Sequence, residues 1–407
     1  MRFELEGSEQ KLKQQANIKV VGVGGGGCNA IANMMEAGIE GVDFIVINTD
    51  HQALDINPAP TKILIGTNTT KGLGAGGTPE VGRKAALEDV TKIEEALRGA
   101  DMVFVAAGMG GGTGTGAAPV VAAAARDVNA LTVSVVTRPF RFEGRKRARF
   151  ADEGVLNLQE EVDAQIIIPN ERLLLLEDKL SVSEAFAMAD TVLCNAVRGI
   201  SDLITAHGTL NVDFADVKTI MGNRGRALMG TGYGQGDNRA VDAALAAINN
   251  PLLEDIKVDG ATGILINVTG GSDMTINEVS EAVAMIEEAA HEDVLVIFGC
   301  VNLPEPCEEV KVTVIATGFQ DPVSQPTHFR STAGAVSRDS HSGNRISTPS
   351  QVQAPLTSRA SMTSPVSAGR DSTEQVQISS GRTTVSRTSM VPERDLDIPT
   401  FLRRQSE

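Results

Sequence analysis

The sequence predicts an α/β protein: a doubly wound parallel sheet, a long central helix, a smaller α+β second domain and a disordered C-terminal tail. Three observations carry this. Between Asn17 and about Pro169, short apolar runs alternate with segments of helical character. The stretch 181–204 keeps apolar residues at helical spacing throughout. After Gly318 the composition turns to Ser, Thr, Gln, Pro and Gly, with Arg but no Lys.

The strands come first. IKVVGV (18–23), DFIVIN (43–48), MVFVAA (102–107), LTVSVVT (131–137) and AQIIIP (164–169) are nearly continuous apolar runs. Strands of that kind are buried on both faces, as in a parallel sheet covered by helices. The helices between them span Asn29–Glu36, Pro79–Arg98, Ala117–Val128 and a polar segment from about Glu143. Pro79 stands just inside its helix start, where its missing N–H costs nothing. In 181–204, Ser181 and Glu184 fit a capping box. Apolar residues follow at 182, 186, 189, 193, 197, 200 and 204, and His207–Gly208 ends the helix. A helix of this length can pack between two domains.

From Val217 to about Gly318, helices near 217–221, 238–248 and 276–290 alternate with strands near 226–232, 263–269, 294–301 and 310–317. The short connection holding Pro304 and Pro306 predicts that the last two strands pair antiparallel. The expected organisation is a disordered leader (1–16), a first domain (17–180), the central helix (181–208), a second domain (209–319), a disordered linker (320–392) and a terminal peptide (393–407). The linker is too polar to offset its ordering entropy by burial.

Composition excludes several classes. The formal charge is −16, which argues against nucleic acid, because phosphate contacts need clustered Lys and Arg. Trp is absent and aromatics are 3%, so a site of stacked rings is not expected. No run of about 18 apolar residues predicts a membrane span, and the polar N-terminus does not read as a signal peptide. The cysteines, Cys28, Cys194, Cys300 and Cys307, form no CxxC, and the histidines form no HExxH. The expectation is a reducing, cytoplasmic compartment without structural zinc.

Glycine-rich loops carry the chemistry. GVGGGGCNA (22–30) leaves a strand and enters a helix, and Gly22, Gly24 and Gly27 satisfy GxGxxG. Alone this reads as a dinucleotide fingerprint, with Asp43 or Asp50 as the ribose acid, or as a tight structural turn. GMGGGTGTGAAPV (108–120) repeats the strand-to-helix placement. Converging N–H groups and a helix N-terminus attract phosphate, and Cβ atoms would obstruct its approach. Thr113 and Thr115 can add hydroxyl donors. GLGAGGTPE (72–80) precedes another helix. Three such loops exceed the needs of one NAD and suit a triphosphate. GxxxxGK[ST] is absent, so this is not a P-loop NTPase.

Other residues carry two readings each. Glu143 and Arg147 fit ribose and phosphate contacts, or an exposed charged helix start. Asp190 can accept from both N1–H and the 2-amino group of guanine, or face solvent. In NVDFAD (211–216), Asp213 and Asp216 fit an N-cap and first-turn acid, or a carboxylate pair that orients water for phosphoryl transfer.

GGGTGTG (110–116) together with GVGGGGCNA, KGLGAGGTPE (71–80), RPFRFEG (138–144) and NVDFAD resembles the tubulin-like GTPases, in the FtsZ family of bacterial division proteins. The likeness runs in order over about 17–318, and the terminal DLDIPTFLRRQ (395–405) resembles that family's C-terminal peptide. The resemblance implies a GTP/GDP site with Mg²⁺ bridging the phosphates. Gly25, Gly26, Gly27, Cys28 and Asn29, with Gly111, Gly112, Thr113, Gly114, Thr115 and Gly116, would hold phosphates. The 72–77 loop, with Gly74, Ala75 and Gly76, would close over the γ-phosphate. Glu143 and Arg147 would contact ribose, and Asn170, Phe186 and Asp190 would surround guanine. NVDFAD would enter the neighbouring subunit's site, where Asp213 and Asp216 act on the attacking water and Asn211 positions the loop.

The implied protein is a homopolymer: head-to-tail protofilaments that organise the division ring at mid-cell, in the cytoplasm. Leu396, Ile398, Phe401 and Leu402 would dock on membrane-tethering adaptors such as FtsA, with Arg403 and Arg404 pairing acidic partner residues and no direct membrane insertion. A linker of about 70 residues spans roughly 45 Å r.m.s.. Cys28 departs from the family's usual glycine; its Cβ can tighten the loop or make it oxidant-sensitive, or be harmless. An NAD-dependent oxidoreductase and a non-catalytic GTP-binding filament are the rival readings.

Overall fold

The computed structural model describes residues 16–176, 180–205, 212–222, 225–253, 260–291 and 293–319. The elements run β1 (Ile18–Val23), α1 (Gly24–Glu36), β2 (Val42–Asn48), α2 (His51–Asp55), β3 (Thr61–Leu64), α3 (Thr67–Thr70), α4 (Pro79–Glu88), α5 (Val90–Leu97), β4 (Met102–Gly108), α6 (Thr113–Asp127), β5 (Leu131–Arg138), a 3₁₀ turn (Arg141–Glu143), α7 (Arg145–Gln159), β6 (Ala164–Pro169) and α8 (Asn170–Leu173). They continue with α9 (Val182–Thr205), α10 (Phe214–Met221), β7 (Gly225–Gln235), α11 (Arg239–Ile248), a 3₁₀ turn (Pro251–Leu253), β8 (Gly263–Gly270), α12 (Ile276–Glu288), β9 (Leu295–Asn302) and β10 (Glu309–Thr317).

The strands form one sheet in the order β3-β2-β1-β4-β5-β6-β7-β10-β8-β9. From β3 to β6 every pairing is parallel. Alternation along these strands divides the core. Ile18, Val20, Phe44, Val46, Phe104 and Val133 pack with Ile31 and Met34 of α1 and Leu193 and Val197 of α9. Val21, Val23, Ile45, Val103 and Val105 pack on the other face with Ala85, Ile93, Val121 and Leu158 from α4 to α7. This is the doubly wound arrangement the strand composition predicts. Strand β6 also pairs β7 in parallel, from Ala164–Gly225 to Ile166–Ala227, which extends the sheet into the C-terminal strands.

Helix α9 touches both halves. Its apolar stripe joins the first core, while Asn195 Oδ1 accepts from Lys311 Nζ at 3.0 Å and the Gly199 carbonyl accepts from Asn267 Nδ2 at 3.1 Å. The last two strands differ from the sequence expectation. β10 pairs antiparallel with β7 and β8, and β9 pairs parallel with β8, so β8 separates the two strands expected to pair. The connection crosses the end of β8 instead of turning back: Leu303 N–H bonds the Gly270 carbonyl (2.8 Å) and Ser272 N–H bonds the Glu305 carbonyl (3.2 Å).

The expected single helix over Pro79–Arg98 is two. Asp89 breaks it, and its Oδ2 accepts the Gly66 N–H at 2.7 Å. Helices α1 and α6 begin earlier than expected, at Gly24 and Thr113. Glycine is a poor helix former by about 1 kcal/mol per residue, but packing overrides that here. A Cβ on Gly27 would strike the Ala106 carbonyl, and one on Gly116 would strike the Pro79 carbonyl, so both glycines let helices lie against their neighbours.

Candidate nucleotide site

A cavity of about 730 Å³ opens at the carboxyl ends of the parallel strands. It lies where the sheet order reverses between β1 and β4, the position at which open α/β sheets bind ligands. Gly25, Gly26, Cys28 and Asn29 of α1 form one wall, and Gly111, Gly112, Thr113 and Gly114 a second. Leu73, Gly74, Ala75, Gly76 and Gly77 form a third. The far end is built by Glu143, Arg147, Asn170, Phe186 and Asp190. Residues distant in sequence therefore share one cavity.

The N-terminal ends of α1 and α6 both border it, so unpaired helical N–H groups and two dipole ends favour an anion there. The 72–77 loop takes left-handed backbone at Gly74, Gly76 and Gly77 (φ 84°, 60° and 74°), which favours glycine. Gly111 is different: a Cβ there would meet no protein atom, so packing does not demand the glycine. Its bare backbone faces the cavity.

Three residues expected among the phosphate contacts do not line the cavity. Gly27 and Gly116 are spent on helix packing, and Thr115 Oγ1 accepts the Gly110 N–H at 2.8 Å, closing the loop from inside. Conversely Asn48, Asp50 and Thr137 line it without having been assigned to the triphosphate site. Asn48 and Thr137 stand at the carboxyl ends of β2 and β5, the one signal that marks them. Asp50 caps α2, accepting from Gln52 and Ala53 N–H; Asp43 is outside the cavity.

At the far end, Glu143 is a positioned carboxylate. One oxygen accepts the Phe140 N–H (3.0 Å), and the other pairs with Arg147 Nη1 (2.6 Å), with the Glu143 side chain only 6% exposed. Asn170 is buried, and its Oδ1 accepts no hydrogen bond among the described residues. Leaving such an acceptor unpaired costs about 1–3 kcal/mol, so it suits a ligand donor. Burial pushes the Asp190 carboxyl up to about 7. Phe186 meets the rings of Phe140 and Phe142 edge-on, at 5.3 and 6.3 Å. A buried amide oxygen, a carboxyl group and an aromatic ring thus stand together at one end of the cavity.

Cys28 is 2% exposed, and burial pushes its thiol up to about 12, with the Asn48 amide donating toward Sγ at 3.8 Å. The oxidant-sensitive reading loses its basis, because thiolate is the reactive form. Asp213 and Asp216 do not line the cavity and are exposed. Asp213 is the N-cap of α10, its Oδ1 accepting the Ala215 N–H at 3.2 Å, and Asp216 lies in the first turn. Asn211 lies outside the described residues, as do residues 1–15 of the leader, the linker, Leu396, Ile398, Phe401 and Leu402.

The donor set suits phosphate oxygens. Mg²⁺ needs oxygen ligands and prefers phosphates with one or two carboxylates; Asp50 is the cavity carboxylate next to the 73–77 wall, its residue bridging Leu73. Among the described residues no three His, Cys, Asp or Glu side chains are grouped to hold a metal by themselves.

Comparisons with known proteins give the family. Residues 17–177 match the Tubulin/FtsZ family, GTPase domain, and residues 225–320 match the FtsZ family, C-terminal domain. The chain is 47% identical to the cell division protein FtsZ of Pseudomonas putida over 398 residues, 97% of this chain and 98% of that protein. An empty FtsZ dimer structure from M. jannaschii superposes with a TM-score of 0.73 at 45% identity, covering 75% of this chain and 89% of that one. The GTPγS-bound protofilament structure of CetZ2 from Haloferax volcanii shares the fold at a TM-score of 0.65 and 23% identity, covering 75% and 93%. The chain belongs to the FtsZ family of tubulin-like GTPases.

Proposed function

We propose that this chain polymerises head-to-tail and hydrolyses GTP at the contacts between subunits, building the filaments of the division ring. The carrying observation is a separation: the cavity offers the donors a triphosphate needs, while Asp213 and Asp216 stand exposed outside it. A site completed by a second molecule reconciles the two. A heterologous contact of this kind does not close, and it produces a filament. The dimer and protofilament forms of the FtsZ and CetZ2 relatives support the same reading.

In this mechanism the α1 and α6 ends bind the phosphates, and the 73–77 loop covers the γ-phosphate. Mg²⁺ supplies charge neutralisation on the phosphate oxygens. Asp190 and Asn170 take the guanine edge, and Glu143 holds Arg147 against the ribose side. Asp213 and Asp216 of the next subunit orient the attacking water, with Asn211 steadying their loop. The water oxygen bonds the γ-phosphorus as the bond to the β–γ bridging oxygen breaks; the water's proton passes to the released phosphate, and the products are GDP and inorganic phosphate. Loss of the γ-phosphate weakens the interface. The terminal peptide, Leu396 to Leu402, tethers filaments to adaptors such as FtsA. Action at a mid-cell ring in the cytoplasm follows from this reading; among the described residues no helix is long and apolar enough to cross a membrane.

The test is GTP turnover per molecule against protein concentration, with Mg²⁺. A rate near zero that climbs past a threshold and levels off is expected. A constant rate per molecule would mean that each subunit holds a complete site, and the shared-site reading would fall.

A further inference from the structure

Thr49 follows the last residue of β2 and is fully buried. Every polar group it carries is engaged. Its N–H donates to Asn48 Oδ1 at 2.8 Å. Its carbonyl accepts from the Gly74 N–H at 3.1 Å and from Thr70 Oγ1 at 3.3 Å. Its hydroxyl lies 2.6 Å from Thr113 Oγ1, and this is its one hydrogen bond among the described residues. Thr113 in turn lines the cavity at the start of α6.

A hydroxyl has one proton, and burying that proton without an acceptor is costly. The Thr113 oxygen is the acceptor available to Thr49. Thr49 therefore donates and Thr113 accepts, which denies Thr113 the option of donating back. The Thr113 proton is left for an acceptor in the cavity. A phosphate oxygen, which only accepts, fits that demand.

We propose that Thr49 is a positioning residue that fixes the Thr113 hydroxyl as a donor to a phosphate oxygen of the bound nucleotide. Through its carbonyl the same residue holds the 73–77 wall, so one buried threonine ties two phosphate loops together. The inference rests on reading the cavity as a GTP site.

The test is calorimetric affinity of the full chain for a non-hydrolysable GTP analogue with Mg²⁺, together with the thermal midpoint of the nucleotide-free protein. Thr49→Ala removes the hydroxyl without crowding Thr113 and should weaken binding about tenfold. Thr49→Ser should restore it to within about twofold. In a Thr113→Ala background, Thr49→Ala should cost less than about twofold, because the pair acts as one unit. If Thr49→Ala lowers the melting point too far, Thr49→Cys keeps most of the volume with a weak donor and should show the same loss. Parent-like affinity of folded Thr49→Ala or Thr49→Cys overturns the proposal. So does a full tenfold loss that persists beside Thr113→Ala, since that would be a merely structural effect. If the parent chain itself fails to bind the analogue, the GTP-site reading falls and this inference falls with it.

Discussion

Cys28 shows how little a residue's type says about its chemistry. It borders a polar cavity, yet its thiol is 2% exposed and pushed up to about 12 by burial. Cys307 is half-buried on the connection between β9 and β10. Iodoacetamide at pH 8 should label Cys307 and leave Cys28 unmodified in the native chain, read by peptide mass spectrometry; rapid labelling of Cys28 would contradict its burial. Asp190 is the opposite case, a group poised to titrate. Its carboxyl is raised to about 7 by burial, and the proposed recognition of guanine needs the ionised form as acceptor. Guanine-nucleotide affinity should fall about tenfold between pH 8 and pH 6, and Asp190→Asn should flatten that dependence. For the ligand-free protein the sign is reversed. A raised folded-state pKa means the native state holds the extra proton between the ordinary carboxyl value and about 7, so the stability this proton adds is lost as pH rises through that window. An affinity independent of pH in the parent would remove Asp190 from base recognition.

At the scale of an element, α10 combines capping and proposed catalysis in one side chain. Asp213 accepts the Ala215 N–H and so stabilises the helix start. Asp213→Ala removes cap and charge together and should cost about 1 kcal/mol of stability. Asp213→Asn keeps an equally good cap and removes only the charge. Its turnover should fall about 100-fold or more, with the urea midpoint and GTP affinity unchanged. A turnover equal to the parent's would leave Asp213 as a cap alone. The glycine helices α1 and α6 make a related point. Gly27 and Gly116 serve packing, whereas nothing in the protein crowds Gly111. Adjacent glycines in one motif thus answer to different physical demands.

At the scale of the whole molecule, a single sheet carries the nucleotide cavity on its parallel half and α10 beyond the end of α9. Helix α9 contributes Phe186 and Asp190 to the cavity near its start, while Asn195 and Gly199 farther along bond the C-terminal strands. One rigid rod of about 36 Å, at 1.5 Å per residue, therefore contacts both the Asn170 end of the cavity and the strands that complete the sheet. The concentration threshold in GTP turnover belongs to this scale, because it depends on two copies meeting.

What the sequence by itself determined is the local grammar: which runs are buried strands, which stretch is a long helix, and where glycine loops leave a strand for a helix. Those features depend on periodicity and backbone conformation, which neighbours in sequence impose. Only the tertiary structure decided that Asp89 splits a helix through a bond to Gly66, that β8 intervenes between β9 and β10, and that Thr49 stands behind Thr113. It also decided which motif residues face the cavity and which serve packing. Each of these outcomes is set by groups brought together from distant parts of the chain, and no local pattern records a neighbour that arrives only when the sheet closes.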